Sequence, residues 1–175
     1  MAFNIWDVRP DTPINNFATF NPLESHAHGN TYTQGNLQLD FSFPTGSNSS
    51  ALCNLGMHDG IFYWESYISD TNSTTKGIGV SNQSENLLAS TASLTNSAYL
   101  IQSSIGNIRS ADNSGVTNID TTTTYKTRII GTTFNANTGE LSFKYETSAG
   151  VLVNVASSNF GGIDTSLVYF PAFYH

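Results

Sequence analysis

The chain has 175 residues, 38% hydrophobic and 11% charged, with six Lys and Arg against thirteen Asp and Glu for a net charge of −7. That length suits one domain with a proper core. The scattered cations argue against nucleic-acid binding, the aromatic content argues against disorder, and no stretch reaches the roughly 20 apolar residues of a membrane span. A charged share of less than half the usual ~25% leaves Asn, Ser, Thr and Gly to build the surface, as in secreted, cell-surface and virion β-proteins. At the amino terminus, Asp7 and Arg9 stand where a signal peptide would place its apolar core. Folding in a cytoplasm combined with an outward-facing type of surface fits a virion component.

In chain order, residues 1–20 read as an extended leader, because Pro10 and Pro13 bar them from a central strand. Residues 21–175 read as one domain. "SHAHGN" holds His26 and His28 at i, i+2, on one face if the segment is extended. Two imidazoles make a poor zinc site alone; around a threefold axis, three copies would supply six nitrogens. An ordinary surface loop is the simpler reading, and no metal or cofactor is expected.

Short alternating runs then recur between polar clusters, and none has helical spacing. Strands are predicted at 36–43, 61–68, 76–81, 98–103, 125–135, 140–147, 151–156 and 167–173. "ANTG" at 136–139 is a tight hairpin turn in which Asn137 and Gly139 can take positive φ. The segment 82–91 has room for one helical turn. About eight short strands without helices to cover a parallel sheet predict an all-β fold, an antiparallel two-sheet β-sandwich or a closed barrel. Leu141, Phe143 and Tyr145 share one face of their strand, and Leu37, Leu39, Phe41 and Phe43 share one face of theirs. Half-exposed strands of this kind favour the sandwich.

In "IFYWESYI", Phe62, Trp64, Ser66 and Ile68 point one way and Ile61, Tyr63, Glu65 and Tyr67 the other. Glu65 is the single charge in the run. Glycoside hydrolysis needs two carboxylates at a defined separation, and neither Asp59 nor Asp70 is an obvious partner, so Glu65 reads as a structural or hydrogen-bonded carboxylate. Gly-x-Ser-x-Gly is absent, His58 and His175 have no evident partner, and "NANTGE" lacks the carboxylates of a calcium loop. Cys53, the lone cysteine, reads as a small buried hydrophobe. The sequons at Asn48, Asn72 and Asn82 read as chance products of the composition.

"GIFYWESYI", "KGIGVS", "GTTFNANTGELSFKYETSAG" and "VYFPAF", in that order, resemble the landmarks of SPRY (B30.2-like) domains. The leader "DTPINNFATFNPLES" and the following "GNLQLDFSF" are similar to the lead-in of SPRY-like domains in structural proteins of tailed bacteriophages. The resemblance implies a concanavalin-like jelly-roll sandwich and recognition rather than catalysis, through loops at one end: residues 69–75, 82–97, 107–118 and 157–166, with Asp70, Asn72, Asn82 and Asn113 as ligand-binding candidates. It implies a virion-surface structural protein, a decoration, fibre or appendage subunit. The alternatives are a lectin-like module for a host glycan or receptor, an intracellular adaptor for a protein partner, and a glycoside hydrolase on the same fold. The expected partners are other virion proteins and copies of itself, with a trimer favoured. Trp64, Phe62, Leu141 and Phe143 are expected in a shared core. SPRY-like domains usually add one strand after the Tyr-x-Pro-Ala run, so an open seat is expected here, with residues 2–8 of the leader as the segment to fill it.

Overall fold

The structure, a computed structural model, describes residues 18–26, 30–41, 49–68, 76–83, 97–102, 108–112, 115–120, 128–155 and 163–174. Its strands are β1 (Phe20–His26), β2 (Thr31–Thr33), β3 (Gln38–Asp40), β4 (Ser50–Cys53), β5 (Ile61–Tyr67), β6 (Lys76–Asn82), β7 (Ser97–Gln102), β8 (Ile108–Asp112), β9 (Gly115–Asp120), β10 (Ile129–Asn135), β11 (Glu140–Glu146), β12 (Leu152–Asn154) and β13 (Tyr169–Tyr174). One sheet has seven strands in the order β1-β4-β13-β6-β7-β8-β9, a second has four in the order β12-β11-β10-β5, and β2 and β3 form a small hairpin. Every pairing is antiparallel. The chain is an all-β sandwich.

The two large sheets meet through alternate residues. Ile78, Val80, Leu100 and Tyr169 of the larger sheet pack with Ile130, Phe134, Leu141 and Phe143 of the smaller one. Phe134 and Tyr169 meet edge to face, with centroids 5.6 Å apart. The predicted core holds for Leu141 and Phe143, which are fully buried. Phe62 and Trp64 are only half-buried against that core, because among the described residues β5 is the last strand of its sheet and has a neighbour on one side alone.

Several elements differ from the sequence-based reading. Within its described part, residues 36–41, the strand predicted at 36–43 starts late and forms β3, since Gln34, Gly35 and Asn36 all take positive φ and turn the chain back on β2. Leu37 then lies outside the strand and is exposed. β4 has no alternation to betray it, as all four of its residues are buried. β1 contains Pro22, yet it is an edge strand whose register shifts between Phe20 and Ser25, where a missing N–H is tolerated. The segment 107–118, read as an end loop, is largely the β8–β9 hairpin. At the β10–β11 turn Gly139 has φ +69° as expected, whereas Asn137 is not at positive φ; its Oδ1 instead accepts from Gly60 N–H at 3.0 Å. The Tyr-x-Pro-Ala run forms β13, which is paired on both sides, with β4 and with β6. The leader segment 2–8 and the 82–91 turn, beyond its first two residues, lie outside the described residues.

Candidate functional site

Alternation along β5 leaves Ile61, Tyr63, Glu65 and Tyr67 on the outer face of the four-stranded sheet, as the sequence predicts. Exposure of 69%, 52% and 60% for Ile61, Tyr63 and Tyr67 is high for side chains of this size. Register then decides what stands beside them. Tyr63 is opposite Thr133, Glu65 opposite Gly131, and Tyr67 opposite Ile129 on β10. One strand further, Thr133 faces Ser142 and Gly131 faces Lys144 on β11.

Gly131 is the feature that shapes the site. A Cβ at this position would lie 2.6 Å from the Tyr63 hydroxyl oxygen and 3.1–3.2 Å from two ring carbons. The Tyr63 side chain therefore leans away from the sheet edge and lies across the bare backbone of Gly131, which only a residue without a side chain permits. Its hydroxyl donates to Glu65 Oε1 at 2.8 Å. Desolvation, and then the bond to and the charge of Glu65, push the Tyr63 phenol up to about 12, so it remains a donor at neutral pH. Glu65 is thus a hydrogen-bonded acceptor on a sheet surface. The residue that shares its row two strands away is Lys144, not the second carboxylate a glycosidase needs.

On the inner face, the cross-strand pair Trp64 and Thr132 and the adjacent Ser66 present Nε1, Oγ1 and Oγ. All three atoms are buried without a hydrogen-bond partner among the described residues. Cys53 is buried, and desolvation raises its thiol to about 12, which makes it an inert core side chain. His58, for which the sequence offered no partner, sits with Nδ1 2.8 Å from Asp59 Oδ2 on the surface.

Of the sequence-based candidates, Asn82 ends β6 and donates from Nδ2 to the Val168 carbonyl at 2.8 Å, tying β6 to the segment before β13. His26 ends β1, where its backbone pairs with Ser50. His28, Asp70, Asn72 and Asn113 lie outside the described residues. Among the described residues no group of three or more His, Cys, Asp or Glu could hold a metal ion, and no helix is long and apolar enough to cross a membrane. Gly131 was missed from sequence; its signal is a lone glycine inside an apolar strand, "RIIGTTF".

No protein-family model and no curated protein sequence matches the chain. Solved structures do. The SPRY domain of human HERC1 aligns with a TM-score of 0.64 at 18% identity, over 89% of this chain and 88% of that one. The TRIM65 PSpry domain aligns with a TM-score of 0.67 at 16% identity, over 89% of this chain and 85% of that one. The chain has a SPRY-like fold.

Proposed function

We propose that this chain is a non-enzymatic structural protein of a bacteriophage virion, a SPRY-like sandwich displayed at the particle surface as a decoration, fibre or appendage subunit. It docks there on other virion proteins or on further copies of itself, with a trimer as the favoured form. The observation that carries the reading is the side of β5 that no described strand covers: seven residues at the end of the four-stranded sheet, with Ile61 and Tyr67 exposed and one charge, Glu65, among them. Edge strands that are to stay solvated are commonly blunted by charge, proline or a bulge, and β5 has little of this. A partner strand added there would satisfy its outer row of N–H and C=O groups. The SPRY-like fold supports recognition over catalysis, and the phage-like leader supports the virion setting.

The test is light scattering of the purified chain across the micromolar range, with pull-down from disrupted virions. Wild-type protein should form an oligomer or capture a virion protein. Ile61→Lys with Tyr67→Lys should abolish this at unchanged melting temperature, since both side chains already face water. A strict monomer that captures nothing from virions would refute the reading.

A further inference from the structure

We infer that the outer face of the four-stranded sheet also carries a sugar-binding site, in which a pyranose ring of a glycan stacks on Tyr63. The plate is one aromatic ring wide. Its inner face rests on Gly131, it is half exposed, and the bond to Glu65 Oε1 fixes its tilt. Such a ring is pre-organised, so little freedom is lost when a ligand settles on it.

The rim supplies the rest of the chemistry. Glu65 and Lys144 are the two cross-strand partners of Gly131, so a carboxylate and an ammonium flank the plate on opposite sides. Thr133 and Ser142 add two hydroxyls in the next row. A pyranose has this pattern in reverse, an apolar C–H face bordered by hydroxyl groups that both donate and accept. Glu65 would accept from sugar hydroxyls and Lys144 would donate to them. A stacked nucleobase, by contrast, would bring phosphates to a chain of net charge −7. The site is separate from the β5 edge used for docking, because the Tyr63 ring leans inward over β10 and a strand added outside β5 leaves it uncovered.

The experiment is a titration of the isotopically labelled full chain, followed by amide NMR, with the methyl pyranosides of glucose, mannose, galactose and N-acetylglucosamine. At least one should give saturable shifts at Gly131, Glu65 and Lys144 with a midpoint of about millimolar, the range for a single exposed ring. Tyr63→Ala should abolish those shifts. Gly131→Ala, which lifts the ring by adding a Cβ, should weaken binding about tenfold, whereas Tyr63→Phe, which keeps the ring but loses the bond to Glu65, should weaken it by less than that. Each variant is checked for an unchanged melting temperature and oligomeric state, so that loss of sugar binding is read apart from loss of docking. Silence from all four sugars, or saturable shifts that survive in Tyr63→Ala, would overturn the inference. A wild-type chain that ignores sugars yet still assembles through Ile61 and Tyr67 would overturn it while leaving the docking proposal intact.

Discussion

Replacing Gly139 by Ala should damage the fold far more than the same change at Gly150. The two glycines have nearly the same φ, +69° and +74°, in the turns that follow β10 and β11. Each substitution forces an L side chain into the left-handed region, at a cost of about 1–2 kcal/mol. Their surroundings differ. At Gly150 the nearest atom to a new Cβ is Glu146 Oε1, 3.9 Å away, the end of a flexible side chain. At Gly139 the new Cβ would clash with the Ile163 carbonyl oxygen and lie within 3.3 Å of the same residue's C and N. That is backbone, which cannot swing aside, and Ile163 is itself buried in the core cluster. Pushing it back is an overpacking problem, worth roughly 1–3 kcal/mol more.

The expected losses are therefore about 1–2 kcal/mol for Gly150→Ala and about 2–5 kcal/mol for Gly139→Ala. Urea unfolding measures both, provided the m-values agree. Asn at each site separates the two causes. Asn tolerates the left-handed region but keeps its Cβ, so Gly150→Asn should be close to neutral while Gly139→Asn still loses the contact component. Equal losses for the two Ala variants would refute the reasoning, for the turn after β10 would then not be pinned against Ile163.

Phe134→Ala should cost about 3–5 kcal/mol, since Phe134 is fully buried and edge to face with Tyr169; Trp64→Ala should cost less, and the reverse order in urea unfolding would place β5 deeper than its half-burial indicates. Thr132→Val should leave stability unchanged or raise it, because the Thr132 hydroxyl is desolvated without a partner among the described residues and an apolar group of the same shape removes that penalty; a loss above about 1 kcal/mol would mean that the hydroxyl is hydrogen-bonded after all. Tyr63 couples stability to alkaline pH: its folded pKa of about 12 lies above the ordinary 10, so its contribution is intact below pH 10 and is lost as the pH rises through 12, the unfolded chain giving up the proton first. Ultraviolet titration should show a late-ionising component that is lost in Tyr63→Phe and moves toward 10 in Glu65→Gln; an unchanged titration curve in Tyr63→Phe would refute the assignment.

Alternation made much of the sandwich legible before any coordinates. β5, β10 and β11 show it in Phe62 and Trp64, in Ile130 and Phe134, and in Leu141 and Phe143, because each has one wet face and one dry one. β4 shows none. Leu52, Ala172 and Tyr174 are buried although they project opposite to Ala51 and Phe173, so this part of the seven-stranded sheet is covered on both faces and its strands lose the period on which such a reading depends. β1 was hidden for another reason, in that Pro22 reads as a breaker until the strand is known to lie at an edge.

The candidate site divides along the same line. Tyr63, Glu65 and Tyr67 fall on one face by a local rule, period two, and the sequence alone places them there. What turns Tyr63 from an exposed aromatic into a fixed plate is Gly131, 68 residues away in the chain and beside it only through the β5–β10 register. Lys144 enters by a second pairing, between β10 and β11. Local pattern carries no information about which strands are neighbours, and a shift of one residue in either ladder would put Lys144 on the other face. The site's chemistry therefore depends on the ladder from Ile129↔Tyr67 to Asn135↔Ile61. That is why a β-bulge placed in β10 between Gly131 and Thr133 should separate Tyr63 from its glycine even if every side chain of the site is kept.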